Sequence, residues 1–292
     1  MSESESDSWH LAEGDHITPE LTVLRRLGGG FAYEVFLAFD EVTYVPVVVK
    51  TVRPGLVADE HTLKGLRREI EALAVVNHPV VARGLRFDLE AERPHVVLQH
   101  IEGPRLSTLI RRHGRLQEQQ YLPLAIEVAA ALHYFRGIDL LHLDVKPSNV
   151  IMAAPARLID LSIARPTADA ARSKRLGTDY YMSPEQADPD THGAPEAPAD
   201  VWGLGTMLFH AVAGYRAFDT GPREGELVER YPQLVDEPYD LPDQVPAGVR
   251  EVVRAMLDKD PAKRPEPGEV VDALEPVLHG LPAPKLTFKV RG

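Results

Sequence analysis

Residues 141–151 read LHLDVKPSNVI, a short stretch in which Asp144, Lys146 and Asn149 stand two and three residues apart. A proline lies between the lysine and the asparagine, which predicts a loop. Eleven residues after the asparagine, Asp160 closes a short apolar stretch that reads as a strand. Two carboxylates and an amide supply the oxygen ligands that Mg²⁺ prefers. A loop made only of turn-forming residues would not explain the lysine between these oxygen ligands, so we interpret the stretch as the chemical centre of the protein.

A glycine-rich segment lies near the N-terminus. Gly28, Gly29 and Gly30 stand between two stretches that read as strands, 21–27 and 33–39. Without a Cβ, glycine allows backbone N–H groups to approach a phosphate closely. No Gly-Lys-Ser/Thr follows and no helix opens directly after the glycines, so the Walker loop and the dinucleotide-binding fingerprint are both excluded. Taken alone, the segment is equally consistent with a plain hairpin turn.

A lysine and a glutamate are predicted to form an internal ion pair. Lys50 follows three valines, so its strand is at least partly buried and its ammonium group needs a partner. Glu69 shares one face of a predicted helix with Leu66 and Leu73. Alone, a glutamate on such a face is more often a solvated rim residue. Beside a buried lysine, the ion pair becomes the preferred interpretation.

The chain changes character once along its length. Its first part reads mainly as strands interrupted by one helix, and helices dominate the second part. The first twenty residues hold six carboxylates and no Lys or Arg, which predicts a solvated tail. We therefore predict an α+β fold with four segments: an acidic disordered tail (1–20), a sheet-rich unit (21–101), a larger helical unit (102–281) and a C-terminal tail (282–292).

Composition excludes several classes of protein. The chain has 292 residues with 32 Lys and Arg against 44 Asp and Glu, a net charge of −12 that disfavours general nucleic-acid binding. The chain has no cysteine, which excludes disulfide scaffolds, thiol nucleophiles and cysteine zinc sites. No apolar run approaches the ~18 residues of a membrane span, and the acidic start is unlike a signal peptide. These features predict a cytoplasmic protein without a membrane span.

In this order, the segments resemble the protein kinase superfamily, in the eukaryotic-like Ser/Thr branch found in bacteria, over about residues 21–281. Residues 177–185 resemble the end of an activation segment, and residues 200–205 the buried helix that anchors the catalytic loop. Arg264 matches the arginine that pairs with the glutamate at Glu185. The resemblance implies a bilobal fold, with a small antiparallel-sheet N-lobe that carries one helix and a larger, mainly helical C-lobe.

The resemblance also implies a reaction and its catalytic residues. The γ-phosphate of ATP would pass to Ser/Thr hydroxyls of protein substrates, with Mg²⁺ as the metal. Asp144 would accept or orient the hydroxyl proton, and Lys146 would neutralise the γ-phosphate. Lys50, braced by Glu69, would fix the α- and β-phosphates. Lys146 and Thr178 together favour Ser/Thr over Tyr acceptors.

Ligand-binding residues follow from the same resemblance. Asn149 and Asp160 would hold Mg²⁺. Leu98 stands at the gatekeeper position before the segment that would bind adenine. The residues implied for nucleotide binding are Gly28, Gly29, Gly30, Val35, Val48, Lys50, Leu98, Gln99, Ile101 and Ile151.

Several residues depart from the family pattern. Tyr33 stands at the third glycine of the loop, Val48 replaces the common alanine before the lysine, and Leu161 and Ser162 replace Phe and Gly of the metal-binding tripeptide. Leu143 stands where most members carry an arginine that pairs with a phosphorylated residue of the activation segment. We therefore predict activity that is largely independent of phosphorylation in this segment, at the candidates Thr167 and Ser173.

Residues 165–175 carry the further cations Arg172, Lys174 and Arg175. The simpler interpretation is a solvated run of charge. The alternative is that these cations attract an acidic substrate or the acidic N-terminal tail of the chain itself. Candidate sites of autophosphorylation in that tail are Ser2, Ser4, Ser6 and Ser8.

Two other functions are consistent with parts of the sequence. The substitutions named above would suit a nucleotide-binding pseudokinase that acts as a scaffold with little catalysis, although none of them removes a group with an implied catalytic role. A small-molecule kinase of similar fold is the third possibility. Residues 177–185 and Arg264 argue against it, because in the family they build the peptide-binding side of the large lobe.

Overall fold

The computed structural model describes residues 7–282, and its N-terminal half is built around an antiparallel sheet. Burial alternates along Tyr33–Asp40, so one face of this strand packs inwards and the other stays half-covered, whereas residues 47–52 of the next strand are buried at every position but Val48. The spatial order is β1-β2-β3-β4-β6-β5. The strands are β1 His16–Thr18, β2 Leu21–Gly29, β3 Tyr33–Asp40, β4 Val45–Val52, β5 Gly84–Asp88 and β6 His95–Gln99.

One helix, α1 (Glu60–Val75), packs against this sheet. The Asp59 carboxylate caps it by accepting a hydrogen bond of 2.7 Å from the Thr62 N–H. Leu66 and Ile70 bury the inward face of α1 together with Val52 and Val96 of the sheet. Because Glu69 lies on the same inward face, the packing of α1 decides where its carboxylate points.

The C-terminal half is mainly helical and contains the largest core. The helix Ala197–Ala213 (α7) is buried along most of its length and carries the fully buried Trp202. It packs against Glu118–Gly137 (α3), which in turn packs against Pro267–His279 (α10). A small ladder of β7 (Val150–Ile151) and β8 (Arg157–Leu158) carries the predicted loop. The helices after α1 are α2 Leu106–His113, α3 Glu118–Gly137, α4 Thr167–Ala170, α5 Pro184–Ala187, α6 Pro189–His192, α7 Ala197–Ala213, α8 Leu227–Arg230, α9 Ala247–Met256 and α10 Pro267–His279.

The predicted α+β fold with a small sheet-rich lobe and a larger helical lobe is confirmed. The predicted tail over residues 1–20 differs from the structure, because residues 7–20 pack onto the small lobe. Ile17 is buried in β1, and the Trp9 indole N–H donates a hydrogen bond of 2.8 Å to the Val52 carbonyl oxygen. Residues 1–6 and 283–292, the remaining parts of the two predicted tails, lie outside the described residues. Within residues 7–282, no helix has the length and apolar character needed to cross a membrane.

Candidate active site

Lys50 and Glu69 form a buried ion pair at the back of the small lobe. The Lys50 Nζ lies 2.6 Å from Glu69 Oε2 and 3.5 Å from Asp160 Oδ1, so three separate segments meet at this ammonium group. Burial alone would lower the pKa of Lys50, but the two carboxylates outweigh it and raise the pKa above its ordinary value. The lysine is therefore held charged where it faces Asp160.

Strand register places most of the apolar residues implied for adenine binding on the sheet face that carries Lys50. Residues directly opposite each other share a face, and Val35 pairs with Lys50 in register. Val48 is two residues before Lys50 and pairs with Leu98. All three apolar side chains are half-buried, whereas those on the opposite face are fully covered. The face with Lys50 thus keeps an apolar surface available for a flat ligand.

The remaining residues implied for nucleotide binding lie at the edges of this face. Gln99 is exposed at the end of β6, and the half-buried Ile101 follows it on the segment that leads to the large lobe. Ile151 is half-buried on β7, two residues after Asn149. The Met152 N–H donates a hydrogen bond of 2.9 Å to the Pro104 carbonyl oxygen, so the segment after β6 meets the chain directly after Ile151.

The glycine segment forms the tight end of the β2–β3 hairpin. Gly28 and Gly29 have φ of 139° and 151°, a region that side-chain-bearing residues rarely adopt. A Cβ on Gly29 would also collide with the Tyr33 carbonyl oxygen. The Gly30 carbonyl oxygen accepts a hydrogen bond of 2.7 Å from Arg53 Nε, which attaches the hairpin to the end of β4. The segment therefore needs glycine for its backbone shape.

Asp144 and Lys146 are joined to the activation segment through Thr178. Lys146 Nζ lies 2.7 Å from Asp144 Oδ2 and donates a hydrogen bond of 2.6 Å to Thr178 Oγ1. The Thr178 hydroxyl in turn donates to Asp144 Oδ1 at 2.7 Å. These three contacts fix the carboxylate and the ammonium group side by side. A hydroxyl substrate placed here would meet a proton acceptor and a cation together.

Asn149 and Asp160 present oxygen atoms suited to a hard cation. The Asn149 amide nitrogen donates to the Asp144 carbonyl oxygen and to Asp144 Oδ2, both at 3.0 Å, which leaves its own oxygen for another partner. Burial raises the pKa of the Asp160 carboxyl, but Lys50 and hydrogen bonds from Ser162 outweigh it and hold the pKa well below its usual range. One carboxylate and one amide fit Mg²⁺, which completes its shell with water and substrate phosphates.

Asp200 fixes the backbone in front of Asp144. Its carboxylate accepts hydrogen bonds of 2.7 Å from the backbone N–H groups of His142 and Leu143. Leu143 has φ of 64°, an unusual conformation for a leucine that persists only where the surroundings hold it. Its carbonyl oxygen accepts a hydrogen bond of 2.8 Å from Gln186 Nε2. The loop that carries Asp144 is thus restrained from both the helix α7 and the segment after the activation loop.

The side chain of Leu143 packs in an apolar cluster with the activation segment. Ala170 of α4 is fully buried in this cluster, and Ile163 and Leu176 pack against it. In the same segment, the buried Arg165 donates a hydrogen bond of 2.6 Å to Ser173 Oγ. Contacts with unmodified residues therefore hold both ends of α4.

Tyr33 makes contacts that the sequence analysis missed. Its hydroxyl donates a hydrogen bond of 2.9 Å to the Thr62 carbonyl oxygen in α1, and its ring centre lies 4.7 Å from Lys50 Nζ. A Cβ at Gly65 would come within 2.9 Å of the Tyr33 hydroxyl, so the tyrosine fits because position 65 is glycine. The sequence did contain a signal for this contact, namely a glycine inside α1 that lies four residues before the ion-pairing glutamate.

The predicted pairing of Glu185 and Arg264 is present deep in the large lobe. Arg264 Nη1 lies 2.6 Å from Glu185 Oε1 and Nη2 lies 3.0 Å from Oε2, a two-pronged contact with almost no solvent exposure. The Arg264 guanidinium also lies over the ring of Trp202, 5.0 Å from its centre. This pair connects the end of the activation segment to the core of the lobe.

Comparison with known proteins identifies the family. The model of the protein kinase domain matches residues 21–274 of the chain. The chain therefore belongs to the protein kinase family.

Its curated relatives are bacterial serine/threonine-protein kinases, which confirms the resemblance drawn from the motifs. The chain is 33% identical over 257 residues to the probable serine/threonine-protein kinase PkwA of Thermomonospora curvata, covering 86% of this chain and 33% of the relative. It is 32% identical over 262 residues to AfsK of Streptomyces coelicolor, covering 88% and 32%. With PknA of Mycobacterium tuberculosis the identity is 29% over 274 residues, covering 89% and 62%. The chain thus spans between one third and about three fifths of these relatives.

Proposed function

We propose that the chain is an active serine/threonine protein kinase that transfers the γ-phosphate of ATP to protein substrates with the help of Mg²⁺. The observation that carries this proposal is the convergence of three segments, which bring Lys50 to Asp160 and Lys146 to Asp144. The Ile159 N–H donates a hydrogen bond of 2.9 Å to the Asn149 carbonyl oxygen, which joins the segment of Asp160 to the loop of Asp144. Family membership and the named relatives support the same reaction. A cytoplasmic location stays a prediction of the sequence.

The proposed mechanism assigns one task to each charged group. Asp144 accepts the proton of the substrate hydroxyl, and Thr178 and Asn149 orient its carboxylate through their hydrogen bonds. Lys146, 2.7 Å from Asp144, neutralises charge on the phosphate as it is transferred. Lys50, held charged by Glu69, fixes the α- and β-phosphates.

Nucleotide and metal binding use the surfaces described above. The glycine hairpin would cover the phosphates, and the half-buried apolar side chains of Val35, Val48 and Leu98 would contact adenine. Asn149 and Asp160 would hold Mg²⁺. When bound, Mg²⁺ would neutralise negative charge that develops on the phosphate during transfer.

The test is transfer of labelled phosphate from ATP with Mg²⁺ to a generic basic protein, by the natural chain and by Asp144→Asn. We expect transfer by the natural chain and at least about a hundredfold less by the variant, because removal of a general base costs roughly 10²–10⁴ in rate. Both proteins should bind a non-hydrolysable ATP analogue with similar affinity. If the natural chain itself binds the nucleotide but transfers no phosphate, the nucleotide-binding scaffold is established instead.

The activity is proposed not to require phosphorylation of the activation segment. Leu143 supplies packing for α4 where a charged residue would need a phosphate, and Arg165 already has an acceptor in the hydroxyl of Ser173. The double variant Thr167→Ala/Ser173→Ala also removes the hydroxyl contacts to Asp139 and Arg165, worth about 0.5–1.5 kcal/mol each, and we expect a rate loss below tenfold. A rate loss of tenfold or more would contradict this proposal.

The kinase is also proposed to phosphorylate its own N-terminal serines. Ser2, Ser4 and Ser6 lie outside the described residues, whereas the Ser8 hydroxyl donates a hydrogen bond of 2.8 Å to Glu34 Oε1. Ser8 would have to leave this buried carboxylate before it could reach Asp144. Mass spectrometry after incubation with ATP tests the proposal, with Asp144→Asn as the control. A tail without phosphate in both proteins would overturn it.

A further inference from the structure

Two arginines share one buried tyrosine beside the activation segment. Tyr231 is 3% exposed, and its hydroxyl oxygen accepts contacts of 3.4 Å from Arg175 Nη1 and from Arg230 Nη2. The centres of the two guanidinium groups lie 5.6 and 5.3 Å from the centre of the Tyr231 ring. Two positive charges are therefore gathered around a single neutral oxygen.

This pair of arginines has no carboxylate to balance its charge. Among residues 7–282, no Asp or Glu oxygen lies within the 4.0 Å that defines an ion pair for either guanidinium. The neighbouring Arg172 differs, since it lies 3.5 Å from Asp169 in the same segment. In a protein with a net charge of −12, two adjacent cations without a carboxylate form an attractive position for an anion.

The contacts with Tyr231 are weak enough to be replaced. At 3.4 Å they are longer than the usual 2.7–3.2 Å of N–H···O hydrogen bonds, and the phenol carries no charge. A carboxylate offers the planar guanidinium two charged oxygens and a hydrogen bond about twice as strong. A carboxylate of a ligand would thus displace the Tyr231 hydroxyl from the two arginines without breaking an existing ion pair.

The arginines stand close to the point where the acceptor hydroxyl must lie. Arg175 precedes Thr178 by three residues, and the Thr178 hydroxyl is 2.7 Å from Asp144 Oδ1. Three residues of chain span at most about 11 Å. On the other side, Gln233 Nε2 donates to the carbonyl oxygens of Asp179 at 2.8 Å and Met182 at 3.2 Å, which fixes the segment carrying Arg230 against the same loop.

We propose that Arg175 and Arg230 form a subsite that selects protein substrates with an acidic residue within about three positions of the Ser/Thr acceptor, the distance that three residues of extended peptide can cover. The subsite rests on the proposed function, since it is argued as part of a kinase's peptide-binding surface. Tyr231 positions the two guanidinium groups through its hydroxyl and its ring. A glutamate or aspartate of the substrate then binds to the two guanidinium groups, which have no carboxylate partner among residues 7–282.

The test uses fluorescein-labelled peptides with a single serine in an alanine-rich background. One glutamate is moved from three residues before the serine to three residues after it, and each peptide has a matched glutamine version. Affinity is measured by fluorescence anisotropy with Mg²⁺ and a non-hydrolysable ATP analogue, and phosphate transfer is measured in parallel. The proteins are the natural chain, Arg175→Gln, Arg230→Gln and the control Arg172→Gln.

We expect the natural chain to prefer the glutamate peptide to its glutamine partner by about ten- to a hundredfold at one or two positions, the range for a hydrogen bond to a charged group. The ratio should fall towards one in Arg175→Gln and Arg230→Gln and stay unchanged in Arg172→Gln. Equal affinity for both peptides, or a preference that survives in both subsite variants, would overturn the proposal. Because binding is measured without transfer, absence of transfer would contradict the kinase function and leave the affinity ratio to decide the subsite.

Discussion

The contact between Tyr33 and α1 leads to a quantitative prediction about nucleotide binding. Tyr33→Phe removes one hydrogen bond of 2.9 Å to the Thr62 carbonyl oxygen and leaves the ring over Lys50 in place. A hydrogen bond of this kind is worth about 0.5–1.5 kcal/mol, so the ratio of molecules with Glu69 paired to Lys50 to those without the pair should fall about two- to tenfold. Burial raises the pKa of Tyr33, so the hydroxyl is protonated and donates at neutral pH.

Tyr33→Gly, which restores the residue common in the family, should have a larger effect. It also removes the ring beside the Lys50 ammonium, a contact worth about 0.5–2 kcal/mol when desolvated. We expect the dissociation constant for a non-hydrolysable ATP analogue to rise about two- to tenfold in the Phe variant and about ten- to a hundredfold in the Gly variant. Tyr44→Phe serves as the matched control, since Tyr44 is 74% exposed at the far end of the β3–β4 hairpin.

Gly65 allows an independent test from the other side of the contact. In the natural chain Gly65→Ala should weaken nucleotide binding, because its Cβ would lie 2.9 Å from the Tyr33 hydroxyl. In the Tyr33→Gly background the same change should stabilise the protein, because alanine favours a helix by about 1 kcal/mol over glycine. The reasoning is refuted if both Tyr33 variants bind the nucleotide as tightly as the natural chain, or if the effects of positions 33 and 65 simply add.

Three further predictions concern the large lobe. Arg264→Gln leaves Glu185 as an unpaired buried charge and should lower the free energy of unfolding by about 3–5 kcal/mol, measured by urea titration; an unchanged midpoint would contradict this. Burial and the nearby Arg216 lower the pKa of His210 to about 4. The unfolded chain therefore takes up this proton first as pH falls below the ordinary value of 6.5. Since solvent screens the partly exposed ring, the free energy of unfolding should drop by roughly 1–2 kcal/mol between pH 6.5 and 4, with a clearly smaller drop in His210→Gln. Leu143→Arg should lower both the melting temperature and the transfer rate, because it places a guanidinium without a carboxylate in an apolar cluster; wild-type stability in this variant would show that the cluster opens freely.

Some of the fold and site could be predicted from the sequence because local patterns carry the information. Lys50 ends a run of valines and Glu69 shares the apolar stripe of a helix, so strand and helix periodicity alone predict that they meet. The acidic composition of the first twenty residues led to the prediction of a solvated tail. Two apolar residues, Trp9 and Ile17, nevertheless attach that segment to the small lobe, although most of its residues are polar. Averaged composition cannot reveal such single contacts.

Other parts of the site depend on proximity that no local pattern encodes. Tyr33 reads as a departure from a glycine motif, and its contact with α1 depends on the space left by Gly65 in another element. Arg175 reads as part of a run of charge, whereas its partner Arg230 is 55 residues further along the chain and meets it only through Tyr231. Long-range arrangement of this kind follows from how the lobes pack, not from periodicity.

Two departures from the family pattern act in the same direction. Tyr33 holds α1 inwards through a hydrogen bond and a ring contact, and Leu143 holds the activation segment through apolar packing. Tyr33 stands at the position of a flexible glycine, and Leu143 stands at the position of an arginine that would pair with a phosphate. Neither residue carries a charge that phosphorylation could pair with. Near the acceptor, Arg175 and Arg230 have no carboxylate partner among residues 7–282, which leaves both guanidinium groups available to an anion from elsewhere. We therefore expect an acidic residue of the substrate to balance the charge of these two arginines, while Leu143 packs the activation segment through apolar contacts.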